Sequence, residues 1–144
     1  PVRPGLDARM SQGLILFAHG ARDPRWAAPF EDTAARIRAR QPGLQVRPAY
    51  LDFMTPDLAG AVAELAAAGC TRVDVVPMFL GSGGHVRQDL PRLLDELRQR
   101  HVGLALRLHT AIGEMPSVVQ AMADAALAAA TATAAAAAPA GDAA

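Results

Sequence analysis

The chain has 144 residues, 51% of them apolar, and its 14 basic and 14 acidic side chains give a formal net charge of +0. That length supports one domain with a real core and excludes two. The charge balance gives no electrostatic basis for binding a nucleic acid or an anionic membrane, so small molecules are the expected partners.

Taken in order, residues 1 to 12 mix proline, arginine and glycine without periodicity and read as an N-terminal arm, ahead of a domain over residues 13 to 128. Leu14 to Ala18 form a continuous apolar run, the mark of a strand covered on both faces. Residues 26 to 40 carry a helical spacing through Trp26, Phe30, Ala34 and Ile37 that stops before Pro42 and Gly43. The unit repeats with Gln45 to Leu51 as strand and Pro56 to Ala68 as helix, Pro56 suiting the first helical turn and Gly69 the stop. It repeats again with Val73 to Pro77 and a helix from about His85 to Arg100, then Leu104 to Leu108 and a last helix from about Pro116. From about Ala125 the chain is nearly pure alanine, whose propensity carries the helix toward Ala138 without an apolar face to dock. Residues 129 to 144 read as an Ala-rich low-complexity tail without chemistry.

Four strands alternating with four helices predict an α/β domain with a four-stranded parallel sheet and helices on both faces. The expected strand order is 2-1-3-4, which places the first and third strands side by side at the switch point where ligands collect. His19 leaves the first of these strands and His85 follows the third. Neighbouring strands lie about 4.8 Å apart, so short loops can bring both imidazoles within about 5 to 8 Å of one ion or proton donor.

Gly20 lets the backbone turn sharply after His19, and Gly81, Ser82, Gly83 and Gly84 precede His85 in a loop that exposes backbone N–H groups. A helix starting at His85 puts its positive dipole end beside the ring and favours the neutral imidazole, which can bind a divalent metal or accept a proton. His101, at a helix C-terminus, belongs to the opposite edge; His109 ends the fourth strand on the correct edge but one strand from the switch point, and reads as structural. The glycine loop lacks the phosphate-binding GxxxxGK[ST] pattern and the chain has no lysine, which argues against a nucleotide or other organic cofactor and excludes a Schiff base. Arg22, Arg25 and Arg87, with the amides of Gly83 and Gly84, suit organic carboxylates. Asp52 and Glu114 lie just past strand ends on the active edge, and Asp89 falls one turn after His85, where it can orient the ring. A single cysteine, Cys70, excludes an intramolecular disulfide and reads as a small buried residue. No apolar run nears the ~20 residues of a membrane span, and no signal peptide is visible, so a cytoplasmic location is expected.

Three segments, HGARDP after the first strand, AYLDFMTPDL at residues 49 to 58 and VPMFLGSGGHVRQDLP at residues 76 to 91, together resemble the short, single-lobe CbiX-type sirohydrochlorin chelatases over roughly residues 13 to 127. The resemblance implies insertion of a divalent metal into sirohydrochlorin: Co²⁺ in cobalamin synthesis, or Fe²⁺ or Ni²⁺ in relatives, including siroheme ferrochelatases. It places the family's metal-binding and catalytic histidines on His19 and His85. The chain departs from the family at Ala21, usually serine, at Asp52, usually glutamate and longer by one methylene, and at Gly81 and Ser82, which replace an apolar pair. Insertion exchanges two pyrrole N–H protons for one M²⁺, so one histidine would hold the ion while the other takes protons, with Asp52 completing the ion's shell or passing protons to water. Met54, Met78, Phe79 and Leu80 are the expected apolar contacts of the macrocycle. A tetrapyrrole is too wide for one lobe to enclose, which implies a homodimer with the carboxyl edges facing one cleft. The alternatives are a carrier that holds metal or tetrapyrrole without turnover, and a flavodoxin-like module taking a phosphorylated ligand on the glycine loop.

Overall fold

A computed structural model describes residues 11–81 and 83–137, apart from the side chains of His85, Ala135 and Ala137. The first strand, β1 (Gln12–Ala18), takes in the end of the segment expected as an arm, while residues 1–10 lie outside the described residues. It runs parallel to β2 (Gln45–Tyr50) on one side and to β3 (Arg72–Pro77) on the other, and β4 (Ala105–Leu108) adds beyond β3. The order is 2-1-3-4, the usual one expected for so short a doubly wound unit. The register sets Phe17 of β1 opposite Ala49 and Pro77, so three strands end together at one carboxyl edge.

The continuous apolar run of β1 follows from its central place. Ile15 and Phe17 face one layer, where they pack with Val73 and Val75 against Leu58, Val62 and Leu65 of α2 (Leu58–Ala67) and Leu90, Leu94 and Leu97 of α3 (Gly84–Arg100). Leu16 faces the other layer and meets Val46, Ala34 and Ile37 under α1 (Ala28–Arg40). Leu65, Leu94 and Leu97 are essentially buried, and each such side chain stabilises the fold by about 1.5–3 kcal/mol. Cys70 is buried in the same core, and burial pushes its thiol above the usual range, consistent with a packing role.

Three boundaries differ from expectation for local reasons. Trp26 lies in a 3-10 turn (Pro24–Ala27) capped by Asp23, and α1 begins only at Ala28, with the Trp26 ring tilted against Phe30 at 4.8 Å. Pro56 was expected inside the first turn of α2 but precedes it. Asp57 takes the cap instead, its carboxylate accepting from the Gly60 N–H at 2.8 Å. Helix α3 starts one residue early, with Gly83 in extended conformation as its cap.

The last helix, α4 (Pro116–Ala137), is continuous through the start of the alanine-rich stretch. It packs against the 3-10 turn before it, Ile112–Glu114, and its described side chains from Val119 onward are exposed. Side chains alternate along a strand. With Val73, Val75 and Leu106 turned toward α2 and α3, residues Arg72, Asp74, Val76, Ala105 and Arg107 turn to the layer of α1, where Ala105 and Arg107 remain exposed.

Candidate functional site

The loops after β1 and β2 are joined by backbone hydrogen bonds. Leu51 N–H donates to the Ala18 carbonyl and Asp52 N–H to the His19 carbonyl, both at 2.9 Å. This close approach requires Gly20, which has φ +83° and whose Cβ, if present, would collide with the Asp52 carbonyl oxygen. His19 is therefore held at the carboxyl end of the central strand, exposed, with its ring stacked on Phe79 at 4.2 Å and 29°. Phe79 is itself buried and meets Phe17 edge-on at 5.8 Å, so the imidazole rests on an aromatic column rooted in the core.

From β3 the chain passes Phe79 and Leu80 and enters α3 at Gly84, so His85 stands at the second position of the helix, on the same edge. The expected pair of β1 and β3 histidine loops is thus brought to adjacent strands, while the His85 side chain and Ser82 lie outside the described residues. Gly83 and Gly84 are exposed where the helix opens. Asp52 is also exposed on this edge.

The three arginines behave differently. Arg22 places its guanidinium over the Phe53 ring at 5.1 Å. Arg25 is engaged by Asp23 through Nη2 at 2.9 Å, an interaction that holds the Asp23 carboxyl below its usual range. Arg87 donates to Glu114 Oε1 at 3.1 Å, joining α3 to the turn after β4. This pair crosses 27 residues of sequence, and only the fold makes it visible. Asp89 lines an apolar recess with Phe17, Leu51, Val86, Leu90 and Leu93; the ring it was to orient lies outside the described residues.

The expected apolar contacts need correction. Met78 and Met54 pack into the layers beneath the edge, and Phe79 is 3% exposed. Leu80 does stand out at 73%, joined by Leu51 at 45% and Phe53 at 66%, which sequence reasoning missed. Their signal was positional: both flank Asp52 just past the end of β2, where burial stops. Phe53 adopts φ 67°, turning the chain back toward Pro56. Beside the Asp89 recess, two further open cavities among the described residues border the edge. One of about 200 Å³ is lined by Phe79, Val86, Arg87, His109 and Glu114. Another of about 360 Å³ lies among Arg22, Glu31, Tyr50 and Phe53. There, burial and secondarily the Glu31 charge push the Tyr50 hydroxyl above its usual value.

His109 is held as sequence reasoning expected, away from the switch point. Its Nε2 lies 2.8 Å from Asp74 Oδ1, and Asp74 also accepts from Gln12 at 3.2 Å. Burial raises the Asp74 pKa, but hydrogen bonds from His109 and Gln12 and the charge of Arg72 outweigh it and leave the carboxyl below the usual range. His101 caps α3 at the far edge. Among the described residues no three His, Cys, Asp or Glu side chains converge to hold a metal ion.

Comparison with known proteins bears on this geometry. The CbiX family model matches residues 13–129. A sirohydrochlorin cobaltochelatase of Saccharolobus solfataricus is 32% identical over 106 residues, covering 69% of this chain and 79% of that one. The sirohydrochlorin cobaltochelatase of Methanococcoides burtonii is 29% identical over 82 residues, 57% of this chain, and the match spans 63% of that relative's length. Among solved structures, the CbiX protein of Marinobacter aquaeolei VT8 superposes with a TM-score of 0.70 at 32% identity, covering 81% of this chain and 94% of that one. The SirB sirohydrochlorin chelatase of Bacillus subtilis subspecies spizizenii, solved with cobalt, shares the fold at 20% identity and a TM-score of 0.67, with 79% of this chain matched to 49% of that one. With its parallel 2-1-3-4 sheet, His19 just past β1 and His85 in the first turn of the helix after β3, and with the family model matching residues 13–129, this chain is a member of the CbiX family.

Proposed function

We propose that this protein is a metal chelatase that inserts a divalent ion, Co²⁺ first, into sirohydrochlorin. The observation that carries the proposal is His19, exposed at the end of the central strand and braced on Phe79, beside the helix entry that bears His85. Metal ion and tetrapyrrole are both substrates. Insertion needs a donor that holds the ion loosely and a base that removes two pyrrole protons near neutral pH, and imidazoles serve both ends. His19 and His85 take these roles between them, and Asp52, tied to His19 through the backbone, supplies a carboxylate to the ion or a path for protons to water. Arg22, Arg25 and Arg87 and the amides of Gly83 and Gly84 meet rim carboxylates, while Leu51, Phe53 and Leu80 offer apolar surface to the macrocycle.

Co²⁺ is preferred because of the names of the relatives; the fold-related SirB has been solved with cobalt and with Fe³⁺. Imidazole and carboxylate accept Co²⁺, Fe²⁺ and Ni²⁺ in an order set by the metals. Neither cavity at the edge encloses a tetrapyrrole, which supports two copies working together around one cleft.

The test is anaerobic insertion into sirohydrochlorin followed spectrally with Co²⁺, Fe²⁺ and Ni²⁺ in turn. Wild type should exceed the protein-free rate, and His19→Ala and His85→Ala should each lose about 10²–10⁴-fold. Wild-type rates equal to the protein-free control with all three metals would refute the proposal in favour of a carrier.

A further inference from the structure

Tyr50, the last residue of β2, is only 4% exposed, yet its hydroxyl has no hydrogen-bond partner among the described residues. Buried polar groups are normally paired, so an unpaired phenol points to a partner outside the chain. No described side-chain nitrogen or oxygen is both sealed from solvent and unpaired. The phenol oxygen therefore opens on the cavity of about 360 Å³ that Tyr50 lines with Arg22, Glu31 and Phe53.

The main chain builds this cavity from two loops. Tyr50 N–H donates to the Pro56 carbonyl at 2.9 Å and Met54 N–H to the Asp52 carbonyl at 2.8 Å, so residues 51 to 55 curl back past the end of β2. This brings Phe53 and Met54 to one wall, and Ala21 and Arg22 form another just after His19 and Gly20. The Arg22 guanidinium lies 5.1 Å over the Phe53 ring and makes no ion pair among the described residues. A phenol and a guanidinium, both short of an acceptor, thus border one space, and the group that satisfies both is a carboxylate. Arg22 stands three residues from His19, at most about 11 Å of chain, a reach comparable to that from the centre of a tetrapyrrole to the ends of its acid arms.

We propose that this cavity receives one acid arm of the tetrapyrrole, the carboxylate accepting from the Tyr50 hydroxyl and pairing with Arg22 while Phe53 flanks the methylenes. The inference rests on the function proposed above and adds Tyr50 to it, as a residue that fixes how the macrocycle is turned over His19. Glu31, exposed in the first turn of α1, lines the same cavity without an ion pair among the described residues. Its charge opposes the arm and weakens binding, whereas it would strengthen the binding of a cationic group.

The experiment is anaerobic equilibrium binding of metal-free sirohydrochlorin to the full chain, followed by the pigment's absorbance. Wild type, Tyr50→Phe, Arg22→Gln, the double variant and Glu31→Gln are compared, with urea unfolding of each. Tyr50→Phe should be as stable as wild type, because the hydroxyl it removes is bonded to nothing in the protein, and should raise Kd about tenfold. In metal insertion the same variant should raise KM and keep kcat within about twofold, since the reacting groups are untouched. The double variant should lose less than the product of the two single losses, because both residues hold one carboxylate. Glu31→Gln should tighten binding. Unchanged binding by Tyr50→Phe, a lowered urea midpoint for it, or weaker binding by Glu31→Gln would each overturn this inference while leaving metal insertion standing. A wild type that neither binds sirohydrochlorin nor exceeds the protein-free rate would overturn the proposed function as well.

Discussion

Replacing Gly20 with alanine tests whether the backbone junction between His19 and Asp52 organises the site. Gly20 has φ +83°, a region that costs a residue with a Cβ about 1–2 kcal/mol. The new Cβ would also run into the Asp52 carbonyl oxygen, and relief of that collision must break or stretch the bond from Asp52 N–H to the His19 carbonyl. A lost backbone hydrogen bond adds about 0.5–1.5 kcal/mol, so the total is roughly 2–3 kcal/mol. Gly69 supplies the control. It has φ +89°, but a Cβ there meets nothing within 4 Å, so Gly69→Ala carries the conformational cost alone. Urea unfolding followed by the fluorescence of Trp26, the sole tryptophan, measures both. With a slope of about 1–3 kcal/mol per molar urea, Gly20→Ala should lower the midpoint by about 1–2 M and Gly69→Ala by roughly half as much. Equal losses would refute the reasoning, because the close approach to Asp52 would then cost nothing.

Asp74→Asn should reduce stability at neutral pH. Because the folded carboxyl lies below its usual 3.8, the ionised group contributes stability above that pH and loses it as pH falls through the folded value. The difference between wild type and variant should therefore be full near pH 6 and shrink at lower pH; a gap constant from pH 6 to pH 2 would sink the assignment. On the proposed function, a rim carboxylate displaces Glu114 from Arg87, so Arg87→Ala should raise KM for sirohydrochlorin about tenfold while Glu114→Gln should lower it, and a rise in both would show the pair acting as a unit. Neither change should cost more than about 1 kcal/mol of stability, because the pair is exposed. Cys70 should resist a thiol reagent in the native protein and react only as urea unfolds the chain; rapid labelling of the folded form would contradict its burial.

The parallel sheet was legible because strands alternate with helices and the unbroken apolar run of Leu14 to Ala18 needs cover on both faces, whereas the strand order followed from the usual arrangement of so short a doubly wound unit and not from any residue. The place of His19 came from the same logic. Pro56 was misplaced because two good helix-start residues stand side by side, and the carboxylate of Asp57 reaches the Gly60 N–H whereas proline has only a favourable φ to offer. The rim was read toward Phe79, which is buried, and without Leu51 and Phe53, because hydrophobicity alone does not say where a strand ends. Once β2 stops at Tyr50, Leu51 and Phe53 leave the core. The Arg87–Glu114 pair was beyond sequence reasoning, since it joins distant segments, whereas the exposed far end of α4 follows from an alanine-rich composition with no apolar face to dock.

The bond that joins the first two loops is made by the main chain of residue 52, not by its side chain. Scaffold and chemistry are thereby separable at this position. Asp52→Glu would lengthen the carboxylate without disturbing the register of His19, and even Asp52→Ala would leave the histidine where it is. A lineage can therefore change the acidic group at the site edge one substitution at a time, without rebuilding the platform on which His19 stands.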